Sequence, residues 1–370
     1  MTYSVHQHWD PLKVCVVGKS YSPEFYSFIK NEKARVVMQR IARETEEDYQ
    51  KLVNLLESFN VKILRPELTD NYLDYLGVLE PNKILLPPMT PRDYSMMVGE
   101  TFYWQRERWD ADYHTNGSKL KEGSKLDLIL RKTWKNIFDD IALAGNTIIE
   151  TPPPGAYNVN GACNVRVGKD IYCSARVNSS DNSIIFTDTE QHYAGLKNLF
   201  KEYRFNGIHG GGHADGVMCA VVPGLIISLS DEVYQTYSKT FPNWEVVNLP
   251  GQSWEKVRPF LDLKTKNNGK WWVPGEELND DFTNFVEEWL DHWVGYVEET
   301  VFDVNMLVIN KQNVVCNNYN EKVFEALKRY GVTPHIINFR HRYFWDGGLH
   351  CITSDLDREG VMEDYFPERG

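Results

Sequence analysis

The chain has 370 residues, 42% of them apolar, and a formal net charge of -12. That length accommodates two domains or one large one with a full core. The acidic balance, with no basic block interleaved with aromatics, excludes nucleic acid as a partner and suits cationic ligands. Six cysteines (Cys15, Cys163, Cys173, Cys219, Cys316, Cys351) are spread through apolar runs with no CxxC pair, the pattern of reduced thiols rather than a disulfide scaffold. No apolar run reaches the about 18 residues that cross a bilayer. Met1 to Gln7 carry neither an apolar signal core nor an arginine-rich presequence, so the expected location is the cytoplasm.

In chain order, Val14 to Gly18 reads as a short buried strand. Tyr49, Leu52, Val53, Leu56 and Phe59 fall at helical spacing on a helix entered near Glu44, and Val61 to Leu64 is the strand behind it. The loop Pro87-Pro88-Met89-Thr90-Pro91-Arg92-Asp93 leads into two strands, Tyr94 to Val98 and Thr101 to Trp104, joined at Gly99. The order then recurs. A helix marked by Leu130, Trp134, Ile137, Phe138 and Ile141 stops at Gly145 and gives strand Thr147 to Ile149. After the loop Pro152 to Asn158 come paired strands, Val159 to Val167 and Asp170 to Ser174. A third helix (Tyr193, Leu196, Phe200, Tyr203) precedes a glycine-rich loop, a strand from His213 and another from Leu225 to Leu229. A fourth (Phe282, Phe285, Val286, Trp289, Trp293) precedes Val304 to Ile309 and Asn313 to Cys316. The last (Phe324, Leu327, Tyr330, stopped by Gly331) gives Pro334 to Ile337, and the final stretch around Cys351 pairs with Val14 to Val17 to close a fifth unit.

Four or five helix-strand-hairpin units in succession are a sign of radial repetition, although any mixed α/β chain shows helices followed by strands. In a radial array the loop that leads into each hairpin points at a central axis. The residues at those positions are Asp93, Asn160, His213 with Asp215, Asp303, and Cys351. Residues 254–280 lack a clear hairpin and read as an insertion at the rim of a single domain spanning 1–370.

Chemistry concentrates in two stretches. In Trp345-Asp346-Gly347-Gly348-Leu349-His350-Cys351 the glycines let backbone approach a small bound group, and the cysteine follows in what reads as a buried strand. Cys351 is then either a nucleophile or one more inert buried thiol. Strand alternation turns His350 away from it, into a structural role. In His209-Gly210-Gly211-Gly212-His213-Ala214-Asp215 the last histidine and the aspartate share a strand face, so His213 can move protons while Asp215 binds a cation. A plain glycine-rich turn is the bland alternative. Metal binding by His209 and His213 is a third, opposed by the three glycines that no helix accommodates well.

These residues resemble the amidinotransferases of the pentein superfamily, in particular the L-arginine:glycine amidinotransferase family. The resemblance rests on Met89-Thr90-Pro91-Arg92-Asp93, Arg166 to Ile171, His213-Ala214-Asp215 with Pro223-Gly224, and Gly347 to Asp355, in family order from about residue 80 to the C-terminus. It implies an α/β pentein fold, a five-bladed α/β propeller of ββαβ-type repeats around a central active site. By position it implies Cys351 as nucleophile, His213 as general acid/base, and Asp93 and Asp215 as guanidinium-binding carboxylates. Asn160 stands where relatives place a catalytic aspartate, and Glu232 where they place an arginine that anchors a substrate carboxylate. Asp303 and Gly348 complete the expected substrate-binding set.

The expectation is transfer of the amidino group of arginine, or a similar guanidino donor, to a small amine such as glycine, giving ornithine and guanidinoacetate. A covalent amidino-cysteine links the two halves, with no metal and no organic cofactor. A guanidino hydrolase or deiminase, sharing that intermediate, and a non-catalytic binder of guanidino compounds are the alternatives. Partners are then a small-molecule donor and an amine acceptor, with no nucleic acid and no membrane. A homodimer is compatible with the sequence.

Overall fold

One small motif, an antiparallel hairpin whose second strand takes a parallel third strand after a helix, occurs five times. The computed structural model describes residues 2–75, 78, 83–105, 122–150, 159–177, 184–185, 190–209, 213–229, 236–249, 271–290 and 304–370. In the first sheet β1 (Leu12–Val17) runs parallel to β2 (Lys62–Leu64) after helix α1 (Glu32–Ser58), and antiparallel to the last strand of the chain, Thr353–Arg358. The C-terminal strand therefore closes the ring against the N-terminal one, in the pairing read from sequence. The second has β3 (Ser95–Val98) and β4 (Thr101–Trp104), then α2 (Lys125–Leu143) and β5 (Thr147–Ile149).

The third pairs β6 (Asn164–Val167) with β7 (Asp170–Val177), carries β8 (Ile184–Ile185) on the end of β7, and after α3 (Glu190–Leu199) adds β9 (Arg204–His209). The fourth has β10 (Met218–Val222), β11 (Leu225–Ser228), a single helical turn α4 (Tyr237–Thr240) and β12 (Glu245–Asn248). After α5 (Asp280–Trp289) the fifth has β13 (Leu307–Asn310), β14 (Asn313–Cys316), α6 (Glu321–Arg329) and β15 (Thr333–Ile336). The strand Thr353–Arg358 is β16. The hairpins of the second, third and fourth units turn at Gly99, Gly168 and Gly224, all at positive φ, where a side chain would be strained.

The helix of each unit belongs with the hairpin before it, so the repeat is the ββαβ unit that the family resemblance implies, where the periodicity alone reads helix first. Strands β9 and β12, the third strands of their units, were not anticipated. Helix α1 starts at Glu32, not near Glu44: Asn31 caps it by accepting the N–H groups of Lys33 and Ala34. Its buried face runs from Ala34, Val37, Met38 and Ile41 to Tyr49, Leu52, Val53 and Leu56. Helix α5, expected to serve the fifth hairpin, instead packs on α1: Phe282, Phe285 and Val286 join that core, with Phe282 stacked on Phe344 and edge-on to Trp271. Most of the proposed rim insertion, 254–270, lies outside the described residues, as do Trp293 and the loop Pro152 to Asn158.

The units meet around a buried charge cluster. Asp355 on β16 takes ion pairs from Arg358 Nε at 2.7 Å, Arg166 Nη2 at 2.8 Å and Arg92 Nη1 at 3.0 Å, and all four residues are essentially inaccessible to solvent. The guanidiniums also reach backbone carbonyls: Arg358 those of Asp10 and Val308, Arg166 that of Met97, and Arg92 those of His350 and Thr353. Four of the five units are thereby tied to one carboxylate. Burial alone would raise the Asp355 pKa, but Arg166, Arg92 and Arg358 hold it well below the carboxylate range.

Candidate active site

Cys351 is buried in a turn just ahead of β16, not inside a strand. The turn is built by Asn305, two residues before β13. Its Oδ1 accepts the backbone N–H of His350 at 2.9 Å and of Cys351 at 3.2 Å, and its Nδ2 donates to Cys351 Sγ at 3.0 Å. Gly348 has no side chain because none fits. A Cβ there would strike Asn305 Oδ1 and stand 2.7 Å from its Cγ. At Gly347 a Cβ would come within 2.8 Å of Thr90 Cγ2, which holds the loop carrying Asp93 close beneath the turn.

Asp215 also faces the sulfur. It lies in a 3-10 turn, Ala214–Gly216, whose position is fixed by a hydrogen bond from the Asp215 N–H to the Ala162 carbonyl at 3.0 Å. Its Oδ2 is 3.7 Å from Cys351 Sγ and 2.7 Å from His350 Nδ1. His350, assigned by strand alternation to face away, is thus seated on the carboxylate beside the cysteine. The alternation argument failed because residues 349–352 form a turn.

Burial, then Arg92 and His8, push the His350 pKa well below its usual value, and burial followed by Arg166 does the same for His8. With both rings neutral, the tautomers follow from their partners. The Arg166 backbone N–H donates to His8 Nε2 at 3.2 Å, which puts the His8 proton on Nδ1, facing His350 Nε2 at 3.4 Å. The His350 proton is then on Nδ1 and donates to Asp215. The carboxylate is thereby held by a neutral imidazole rather than by a second cation.

His213 precedes the same 3-10 turn in extended backbone, with Nδ1 3.9 Å from Asp93 Oδ1. Both side chains are about one-seventh exposed, 15% and 14%, whereas Asp215 and Cys351 are nearly sealed at 2% and 3%. His213 and Asp93 are therefore more accessible than Asp215 and Cys351. The shared strand face read for His213 and Asp215 does not exist, since the strand begins only at Met218.

Asn160 is fully buried. Its Nδ2 donates to Gln105 Oε1 at 2.9 Å, its Oδ1 accepts the Cys163 N–H at 2.8 Å, and its carbonyl accepts from Asn164 Nδ2 at 2.8 Å. Those contacts make it a brace for the turn before β6. Glu232 and Asp303 lie outside the described residues. Asn305, two positions after Asp303, was overlooked, although it follows the same logic of a polar residue at the head of a hairpin. Among the described residues no group of three or more His, Cys, Asp or Glu could hold a metal ion, and no helix is long and apolar enough to cross a membrane.

No family model matches the chain. It aligns over 92% of its length, and 86% of the relative's, with the L-arginine:L-lysine amidinotransferase of Pseudomonas savastanoi pv. phaseolicola at 20% identity. With inosamine-phosphate amidinotransferase 1 of Streptomyces glaucescens the identity is 22% over 98% of both chains. With the mitochondrial glycine amidinotransferase of Xenopus tropicalis it is 20%, over 98% of this chain and 84% of the relative. Among solved structures, an amidinotransferase of Microseira wollei from the saxitoxin biosynthetic pathway superposes with a TM-score of 0.63 at 15% identity, covering 98% of this chain and 99% of the other. The inosamine-phosphate amidinotransferase of Streptomyces griseus gives 0.61 at 17% identity with the same coverage. The chain is thus similar in sequence to amidinotransferases over nearly its whole length and has the pentein fold of their solved structures.

Proposed function

We propose that this protein is an amidinotransferase that uses arginine, or a similar guanidino compound, as donor and a small primary amine as acceptor. The observation that carries the reading is the Asp215 carboxylate, whose Oδ2 lies 3.7 Å from Cys351 Sγ and 2.7 Å from His350 Nδ1. A planar guanidinium laid against that carboxylate presents its carbon to the sulfur. The kinship with amidinotransferases supports transfer as the reaction class.

The carboxylate also regulates the thiol. In the free enzyme Asp215 accepts the Cys351 S–H and favours the protonated form; a bound guanidinium neutralises Asp215 and favours the thiolate. The thiolate attacks the guanidinium carbon, and the C–N bond to the donor breaks as His213 gives its proton to the departing amine. The sulfur is left carrying the amidino group. His213, now a base, takes a proton from the acceptor amine as its nitrogen bonds to the same carbon and the C–S bond breaks, restoring the thiolate. With arginine the first product is ornithine. Asp93, whose Oδ1 is 3.9 Å from His213 Nδ1, draws cationic groups toward that side chain.

Glycine is the default acceptor by resemblance, but relatives act on other amines, so the acceptor is set by experiment. The protein is incubated with arginine alone and with glycine, lysine or an aminocyclitol phosphate, and products are followed by mass spectrometry. Ornithine together with the amidinated amine, formed only when that amine is present, supports the proposal. Citrulline or urea would make the protein a guanidino hydrolase, and no product from any donor would make it a guanidino-binding protein.

A further inference from the structure

We propose that Asn305 is the residue that stabilises the Cys351 thiolate, a deepening of the reading above that rests on Cys351 being the nucleophile. The geometry leaves the amide only one orientation. Its oxygen is fixed by two backbone N–H donors, from His350 and Cys351, so the NH2 group must face the sulfur. Reversing the amide would set its NH2 against two donors and its oxygen against the sulfur. The enforced contact, Nδ2 to Sγ at 3.0 Å, is short for a neutral thiol, which is a weak acceptor. It suits a thiolate, for which an N–H donor forms a charge-assisted bond.

Gly348 supports the same conclusion. The closest atoms to its missing side chain are Oδ1, Cγ and Cβ of Asn305, so the glycine is the room that lets Asn305 reach the sulfur. Two groups therefore act on Cys351 in opposite senses. Asp215 favours the thiol until a cation covers it, and Asn305 favours the thiolate throughout. Asn305 also stays with the sulfur through both half-reactions. When the C–S bond breaks in the second step, the electron pair returns to a sulfur that already has its donor in place, and a better-stabilised thiolate leaves faster.

The test is a spectroscopic titration of the thiolate near 240 nm in the ligand-free protein, with the Cys351→Ala spectrum subtracted. Burial pushes the thiols of Cys15, Cys173 and Cys219 up to about 12, so those three stay silent through the range read. Asn305→Asp is the informative variant. Its carboxylate still accepts both backbone N–H groups, preserving the turn, but offers the sulfur an acceptor in place of a donor. The expected result is an upward shift of the Cys351 titration by about 2 pH units, read also as a roughly hundredfold slower alkylation by iodoacetamide at neutral pH.

The new carboxylate would raise a neighbouring thiol by its own charge, so the neutral variant Asn305→Ser, which removes the donor without adding a charge, is the deciding control. A shift of about 1 unit or more is expected in it, and a titration within about 0.3 unit of wild type would overturn the proposal. Neither readout needs turnover. A protein that shows the shift but forms no amidino product would refute the transferase reading while leaving the role of Asn305 intact.

Discussion

Asp355→Asn removes one charge from a cluster in which that charge is opposed by three. The side chain keeps its shape, so the loss is electrostatic: ion pairs of 2.7, 2.8 and 3.0 Å disappear while Arg358, Arg166 and Arg92 stay buried. Removing one partner of a buried pair costs about 3–5 kcal/mol, because the remaining charge has no compensation. Unfolding entropy near 2.1 cal/mol/K per residue gives ~0.8 kcal/mol/K for a chain of 370 residues, so a 4 kcal/mol loss lowers Tm by about 5 °C. Calorimetry and urea unfolding at neutral pH measure both quantities.

The pH dependence carries the sign. Asp355 has a depressed pKa in the folded protein and about 3.9 when unfolded, so its contribution is complete above the unfolded value and is lost as pH falls through the folded one. The stability gap between wild type and variant is therefore flat from neutral pH to about pH 4 and closes only below it. Because Arg92 also holds the carbonyls of His350 and Thr353, turnover falls along with stability. A loss under about 1 kcal/mol, or a gap that closes near neutral pH, would refute the reasoning.

Cys351→Ala abolishes turnover but unfolds within about 1 kcal/mol of wild type, since one small side chain leaves a large core; wild-type rates in this variant would remove Cys351 from the mechanism. Gly348→Ala must displace Asn305, breaking its bonds to His350, Cys351 and Sγ, and is expected to lower kcat at least tenfold with about 1–3 kcal/mol of lost stability. Unchanged kinetics in that variant would show that Asn305 does not need its present position. Asn31→Ala removes the cap of α1 and costs about 1 kcal/mol without touching kcat, as denaturant melts and steady-state rates will show.

Much of the ring was legible because hairpins announce themselves. Gly99, Gly168 and Gly224 each mark a turn between two apolar runs, and the pairing of Val14 to Val17 with the C-terminal strand followed from counting units. What failed was assignment across distance. The amphipathic face of α5 says that it packs, not that it packs on α1. The fourth unit's helix is the single turn Tyr237–Thr240, too short for any periodicity to reveal. Strand Arg204–His209 hides behind Asn206 and Gly207, poor strand formers in isolation.

The site shows the same division. Asp215 and Cys351 meet as the residue types suggested, but the strand rule misdirected His350, because glycines ahead of a cysteine can equally build a turn. Arg92, Arg166 and Asp355 stood in the motifs that carried the family resemblance. For Arg166 the placement between Val165 and Val167 was the signal that it pairs in the interior, since a lone buried charge is too costly to persist; Arg92 and Asp355, each with a polar neighbour in sequence, carried no such signal. Asn305 had no such mark: an amide before a strand is common, and only its position against the sulfur distinguishes it.

The central claim is that Cys351 attacks a guanidino carbon, and it is tested most directly by trapping the half-reaction. Protein mixed with arginine and no acceptor is quenched in acid within seconds, digested, and mapped by mass spectrometry while released ornithine is counted. The account predicts an amidino group on the peptide containing Cys351, one ornithine per labelled site, and loss of the label when an accepting amine is added before the quench. Ornithine formed with Cys351 unmodified at every time point, or the label found on another residue, would contradict it.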